Sequence, residues 1–151
     1  MEVVVLDFET TGFSPHKGDR VIEIGAAVVD SVGRVIKQMQ LLCNPSRSIP
    51  HVITQLTGIT EDMLTVCLLT ENAISQLCDF IDGRIIVAHN SDFDIRFLQH
   101  ELQRMVKSPR ALQHVCTWKL SRKLLPGLKS HKLSILKEYI GYVDSCEHKA
   151  H

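Results

Sequence analysis

The chain has 151 residues, 44% of them apolar and 23% charged, which suits one compact domain and leaves little room for two. A domain of this size buries roughly 70% of its unfolded surface, so its core needs neither disulfides nor a structural metal. No stretch approaches the ~20 apolar residues of a membrane-crossing helix. Met1 leads straight into Val3-Val4-Val5-Leu6-Asp7 with no basic n-region and no small-residue cleavage site, so a secretory signal is not expected. Cys43, Cys67, Cys78, Cys116 and Cys146 are odd in number and form no C-x-x-C, a pattern that suits free thiols in a reducing cytoplasm.

The zero net charge hides an asymmetry. Residues 1–103 carry 14 acidic and 7 basic residues, a balance of −7, whereas 104–137 carry nine Lys or Arg and no acid. Acidic and basic parts side by side fit carboxylates that hold cations next to a surface that holds an anion, or simply solvated helix faces.

In chain order, Val3–Leu6 reads as a buried strand. Arg20–Asp30 and Val35–Cys43 read as two more, joined into an antiparallel hairpin by Asp30-Ser31-Val32-Gly33-Arg34. Pro45 and Pro50 mark a loop. Thr60 is placed to cap a short helix starting Glu61-Asp62-Met63. Thr70 is placed to cap another, with Ala73, Ile74, Leu77, Phe80 and Ile81 on one face and Gly83 as its stop. Ile85–Ala88 is a short buried strand. Phe97, Leu98, Leu102 and Met105 then continue with helical period towards Pro109. Val115 and Cys116 end a last strand. A helix over Trp118–Leu124 stops at Pro126-Gly127. Ser130 is placed to cap a final helix with Leu133, Leu136 and Ile140 inside and Gly141 after it. This order is one mixed α/β layer structure.

Three segments carry chemistry. In Asp7-Phe8-Glu9 the two carboxylates stand at i and i+2, so a strand projects both to one face and Phe8 to the other. Like charges this close repel; such a pair is either solvated at the surface or relieved by a divalent cation. In His89-Asn90-Ser91-Asp92-Phe93-Asp94 a strand ends and a helix begins; Asp92 fits a cap or first-turn position, and spacing alone leaves the role of Asp94 open. Phe93 reads as core or as a base-stacking ring, and Trp118 as packing. In Cys146-Glu147-His148-Lys149-Ala150-His151 the spacing admits a zinc site, or a histidine serving as general base.

Taken with Leu56-Thr57-Gly58-Ile59-Thr60, Leu120–Gly127 and His131-Lys132-Leu133, these segments resemble the DEDDh 3′–5′ exonucleases over essentially the whole chain and in the family's order. The resemblance is to the DnaQ-like proofreading type, the PolC and epsilon-subunit exonucleases of bacterial DNA polymerase III. It implies an RNase H-like α/β fold, a five-stranded mixed sheet flanked by helices. It implies that Asp7, Glu9 and Asp94 bind two divalent metal ions, Mg²⁺ or Mn²⁺, that His148 is the general base, and that Asp92 has no catalytic part. The family's aspartate in H-x-x-x-x-D belongs five positions after His148, past His151. The chain therefore reads as a single exonuclease domain over 1–151, C-terminally incomplete, and weak or inactive as it stands. Substrate contacts are implied at Thr10, Thr11, Thr57, Gly58 and Ile59. The implied function is hydrolysis of DNA from its 3′ end to 5′-mononucleotides, in proofreading or repair. The implied partners are a single-stranded DNA 3′ end and DNA polymerase III, with no membrane. RNA trimming on the same scaffold, and a module that grips a strand or a polymerase without cutting, are the alternatives.

Overall fold

The computed structural model describes residues 1–105 and 111–143. Among them, β1 (Val3–Thr10), β2 (Val21–Val29), β3 (Val35–Leu42), β4 (Ile85–Ala88) and β5 (His114–Cys116) form one sheet in the order β3-β2-β1-β4-β5. β1, β2 and β3 run antiparallel, while β4 and β5 join β1 in parallel. The sheet is thus mixed and five-stranded, as the resemblance implies. The hairpin turn is closed by the Asp30 carboxylate, which accepts from the N–H groups of Val32 and Arg34, with Gly33 at φ +84°.

β1 alternates as its sequence demands. Val4, Leu6, Phe8 and Thr10 are buried, and Val5 and Asp7 are exposed on the other face. The buried face meets α3 (Thr70–Ile81) and α4 (Ser91–Arg104). Leu6, Ile24, Ile74, Leu77, Phe97 and Leu98 are at the centre of this core. A smaller cluster of Ile22, Ile49, Ile53, Ile59 and Leu64 holds α1 (His51–Thr57) and α2 (Glu61–Leu64). α5 (Thr117–Leu124) and α6 (Leu133–Tyr139) complete the described elements. No helix among the described residues is long and apolar enough to cross a membrane.

Several local expectations hold. Thr60 caps α2 by accepting from the Met63 N–H. Others are corrected. Thr70 does not cap α3; its hydroxyl donates to the carbonyls of Val21 and Asn44, so it ties the helix to the sheet. α3 turns off at Asp82, in the left-handed region, one residue before Gly83. Ser130 stands outside α6, whose first flanking residue is Lys132. Leu133 and Ile140 do not face inward: they are 52% and 70% exposed, because no described element covers that side of α6. α1 goes unseen in the sequence because Pro50 offers no capping side chain and only Ile53 in the helix is buried. α4 stops at Arg104, and Pro109 lies outside the described residues.

One buried ion network crosses the core. Arg20 grips Glu101 of α4 through Nε at 3.2 Å and Nη2 at 2.7 Å, and reaches Glu71 of α3 at 2.8 Å and the Pro45 carbonyl at 3.2 Å. Burial opposes the Arg20 charge, but the two carboxylates outweigh it and raise its pKa. Removing one partner strands the other in low dielectric. Glu101→Ala should therefore lower stability by about 3–5 kcal/mol, read as a fall in the denaturation midpoint. A loss below ~1 kcal/mol would mean that water reaches Arg20.

Candidate active site

The site begins where β4 leaves the sheet. β1 pairs with β4 only at Val3, Val4 and Val5; β4 ends at Ala88, and Asn90, in the left-handed region at φ +64°, swings the chain into α4. Beyond Val5, β1 has no strand neighbour on that side. The Phe8 N–H there donates instead to Asp94 Oδ1 at 3.0 Å. Asp94, in the first turn of α4 and only 3% exposed, is thereby drawn to the two flanking residues of Phe8, Asp7 and Glu9. Three carboxylates that the sequence separates by 85 residues meet at one strand.

Each is electrostatically strained. Burial raises Asp94 to about 7, with the charges of Asp7 and Glu9 adding to it and the Phe8 hydrogen bond opposing. Asp7 is open to solvent on the outer face, yet partial desolvation raises its pKa, and Glu23 raises it further. Glu9 is raised by desolvation and then by Asp7 and Glu23. No salt bridge among the described residues uses Asp7, Glu9 or Asp94. Glu23 is an acidic neighbour that motif reading missed. It stands directly across from Glu9 in the β1–β2 register, with Gln40 donating to its Oε1 at 3.0 Å. Only the register could have found it. A shallow depression of about 300 Å³ lies over this face, floored by Asp7, Gly25 and Ala27.

An all-carboxylate donor set with no cationic partner is what a hard divalent cation takes up. Among the described residues, no three His, Cys, Asp or Glu side chains are gathered tightly enough to be a finished metal cage. The carboxylates present fit such an ion by chemistry and charge rather than as a closed shell. His148, Cys146 and His151 lie outside the described residues.

The other sequence-derived candidates make local contacts of their own. Thr10 and Thr11 are buried and fully engaged: the Thr10 hydroxyl donates to the Gly12 carbonyl, and that of Thr11 donates to Asp19 Oδ1. Gly12 packs so closely on the Asp19 carboxylate that a Cβ would collide with it. Thr57 donates to the Ile53 carbonyl and accepts from the Ile59 N–H, Gly58 closes α1 at φ +76°, and Ile59 is buried. Asp92 pairs with Lys119 at 2.6 Å, a contact away from the carboxylate cluster that accounts for it. Phe93 packs on Phe97 with centroids 4.9 Å apart, and Trp118 carries the Arg122 guanidinium over its ring at 4.8 Å. A larger cavity of about 340 Å³, lined by Cys78, Leu98 and Leu112 among others, contains none of these residues.

The Asp94 geometry has a pH signature. Its folded pKa of about 7 lies above the ordinary 3.8, so the folded state binds the extra proton between those values. The associated stability is complete below the ordinary value and is lost as pH rises through about 7. In chelator, the melting temperature should fall over that window. Asp94→Asn should match the parent near pH 4 and exceed it at pH 8, and Mn²⁺ at pH 8 should raise only the parent. Parallel curves for the two proteins would show that Asp94 is not the titrating group.

The comparisons with known proteins come from the whole chain. An exonuclease family model of the RNase T type matches residues 4–151. The 3′–5′ exonuclease DinG of Bacillus subtilis (strain 168) is 36% identical over 147 residues, covering 97% of this chain and 16% of that protein. The DNA polymerase III subunit epsilon of Treponema pallidum (strain Nichols) is 36% identical over 146 residues, covering 95% of this chain and 67% of that subunit. Among solved structures, exonuclease X in complex with 5′ overhanging duplex DNA superposes with a TM-score of 0.76 at 24% identity, covering 99% of this chain and 79% of that one. E. coli exonuclease I in complex with a dT13 oligonucleotide superposes at 0.77 and 21%, covering 91% and 35%. These two likenesses establish the RNase H-like fold. The chain spans 16% of the DinG length and 10% of the PolC-type polymerase of Clostridium perfringens (strain 13 / Type A) that it also matches. With a family match over nearly its full length, the chain belongs to the exonuclease family.

Proposed function

We propose that residues 1–151 form one metal-dependent 3′–5′ exonuclease domain that removes 5′-mononucleotides from a DNA 3′ end. The observation that carries this reading is the hydrogen bond from Phe8 to Asp94, which joins Asp94 to Asp7 and Glu9 in a family of exonucleases. Asp7, Glu9 and Asp94 are the residues that would hold two divalent ions, Mg²⁺ or Mn²⁺. Bound there, the ions supply Lewis acidity to the phosphodiester and an activated water. The chain does the rest. Its carboxylates fix where the ions would sit, and His148 takes the proton from the attacking water. Thr10 and Thr11 have no free hydroxyl proton, so they shape the loop, and its backbone meets the terminal nucleotide. Thr57, Gly58 and Ile59, in the turn that ends α1, supply further contacts to that nucleotide.

The strand leaves this centre along α5. Lys119, Arg122 and Lys123 lie on a helix with no acidic residue, and Arg122 is stacked on Trp118. The relatives' names support a proofreading or repair setting and a DNA polymerase III partner.

Asp7→Ala should abolish mononucleotide release at saturating Mn²⁺ while leaving the circular dichroism spectrum and melting curve of the metal-free protein intact, since it removes repulsion as well as a ligand. Near-normal degradation by that variant would sink the assignment. Running matched DNA and RNA oligomers in the same assay decides the substrate.

Arg122→Ala with Lys123→Ala should weaken single-strand binding and flatten its salt slope by up to about one unit per lost phosphate contact. An unchanged slope would place this face of α5 away from the strand.

A further inference from the structure

The loop that follows β1 is built on a template, and the template is anchored to the helix that carries Asp94. Thr11 is held twice to the backbone of Arg20: its N–H donates to the Arg20 carbonyl at 2.8 Å, and its hydroxyl accepts from the Arg20 N–H at 3.0 Å. The neighbouring Asp19 takes the Thr11 hydroxyl proton at 3.1 Å and the Ser14 N–H at 3.1 Å, and its carboxylate fills the space against Gly12. Residues 10–14 thus copy the outline of Asp19-Arg20.

The Arg20 side chain is fixed in turn by Glu101. Glu101 and Asp94 are seven residues apart on α4, hence on one face, about 10 Å apart along the axis. Both are buried, at 1% and 3% exposure. One helix face therefore delivers a carboxylate to β1 and, two turns on, a carboxylate to the base of the loop. A second brace runs beside it. His16, in the single 3-10 turn over Pro15–Lys17, stands edge-on to His100 of α4 with centroids 4.3 Å apart.

Fold stability alone is a poor reason for this arrangement. Burying Arg20 with two carboxylates leaves Glu71 Oε2 buried without a partner. An apolar pair of similar volume packs as well or better in such places. What an apolar pair lacks is a directional fork, and a fork holds position.

We infer that Arg20 and Glu101 are positioning residues: they set the distance between the nucleotide-facing loop 10–14 and the Asp7–Glu9–Asp94 centre. This rests on the exonuclease reading above and adds to it which residues hold the terminal nucleotide in register with the metal site.

The test uses Arg20→Lys, which keeps a buried positive charge and loses the fork, and the double variant Arg20→Met with Glu101→Met, which replaces the ion pair by apolar volume. Three quantities are measured with Mn²⁺: affinity for thymidine 5′-monophosphate, kcat and KM on a thymidine oligonucleotide, and the rate on bis(p-nitrophenyl) phosphate, which has no nucleoside for the loop to hold. The expected result is roughly tenfold weaker mononucleotide binding and a roughly tenfold higher KM on the oligonucleotide, with the p-nitrophenyl rate within about twofold of the parent. The double variant should do the same while melting near the parent temperature. Unchanged mononucleotide affinity and KM would overturn the inference. So would equal losses on both substrates, which would put the network under the metal centre rather than the loop. Failure of both variants to fold would overturn it too, since the pair would then be a requirement of the fold. A parent that cuts neither substrate but binds the mononucleotide, with Arg20→Lys binding it tenfold more weakly, would end the exonuclease reading and keep the positioning role. A parent that neither cuts nor binds would end both.

Discussion

The site depends on a strand that outlasts its neighbour. β1 runs on for five residues past its last partner in β4, and a backbone N–H left on that side must find an acceptor or remain a buried loss. Phe8 finds it in Asp94. That bond is structural, and it also shapes the proposed site. It completes the sheet's hydrogen bonding at the point where the chain turns into α4. In doing so it brings a third carboxylate to the pair already projecting from β1. Ligands of open α/β sheets bind where strand order divides in this way, outside the carboxyl ends of the strands.

The same geometry makes the metal-free centre uncomfortable. Asp7, Glu9 and Asp94 are all raised, each first by desolvation and then by one another or by Glu23. The remaining ion pairs of the described fold are spent elsewhere, on Arg20, Arg34, Arg47, Arg84 and Lys119. A protein that needed only stability at this strand would place apolar or neutral residues there. Carboxylates kept close without a counter-charge fit the proposed divalent ions, which would supply one.

Around that centre the fold separates rigid from open parts. α3 and α4 bury the inner face of the sheet, and Arg20 ties both helices to the start of β2. The loop after β1 is held to this frame through Thr11, Asp19 and the His16–His100 contact. α5 and α6 are different. Ser121 is the one buried residue of α5, and α6 has none. Lys119, Arg122 and Lys123 of α5 are exposed, where a polyanion can reach them, and the Asp7–Glu9–Asp94 cluster stays on the well-packed sheet.

Much of this was legible in the sequence because it is local. The apolar run Val3–Leu6, the turn residues at Asp30–Arg34, the four-residue run of β4, the Thr60 cap and the shared face of Asp7 and Glu9 each depend on a few neighbouring side chains and a fixed backbone period. The tertiary structure decided the rest. It separated Asp94 from Asp92, because only one of them meets the free N–H of Phe8 while the other meets Lys119. It turned Thr70 from a cap into a tie to Val21, left Leu133 and Ile140 facing outward, and set Glu23 opposite Glu9. It joined Arg20 to Glu101 across 81 residues. None of these follows from period or propensity, because each is a choice among partners that only the packed sheet and helices bring within a hydrogen bond's reach.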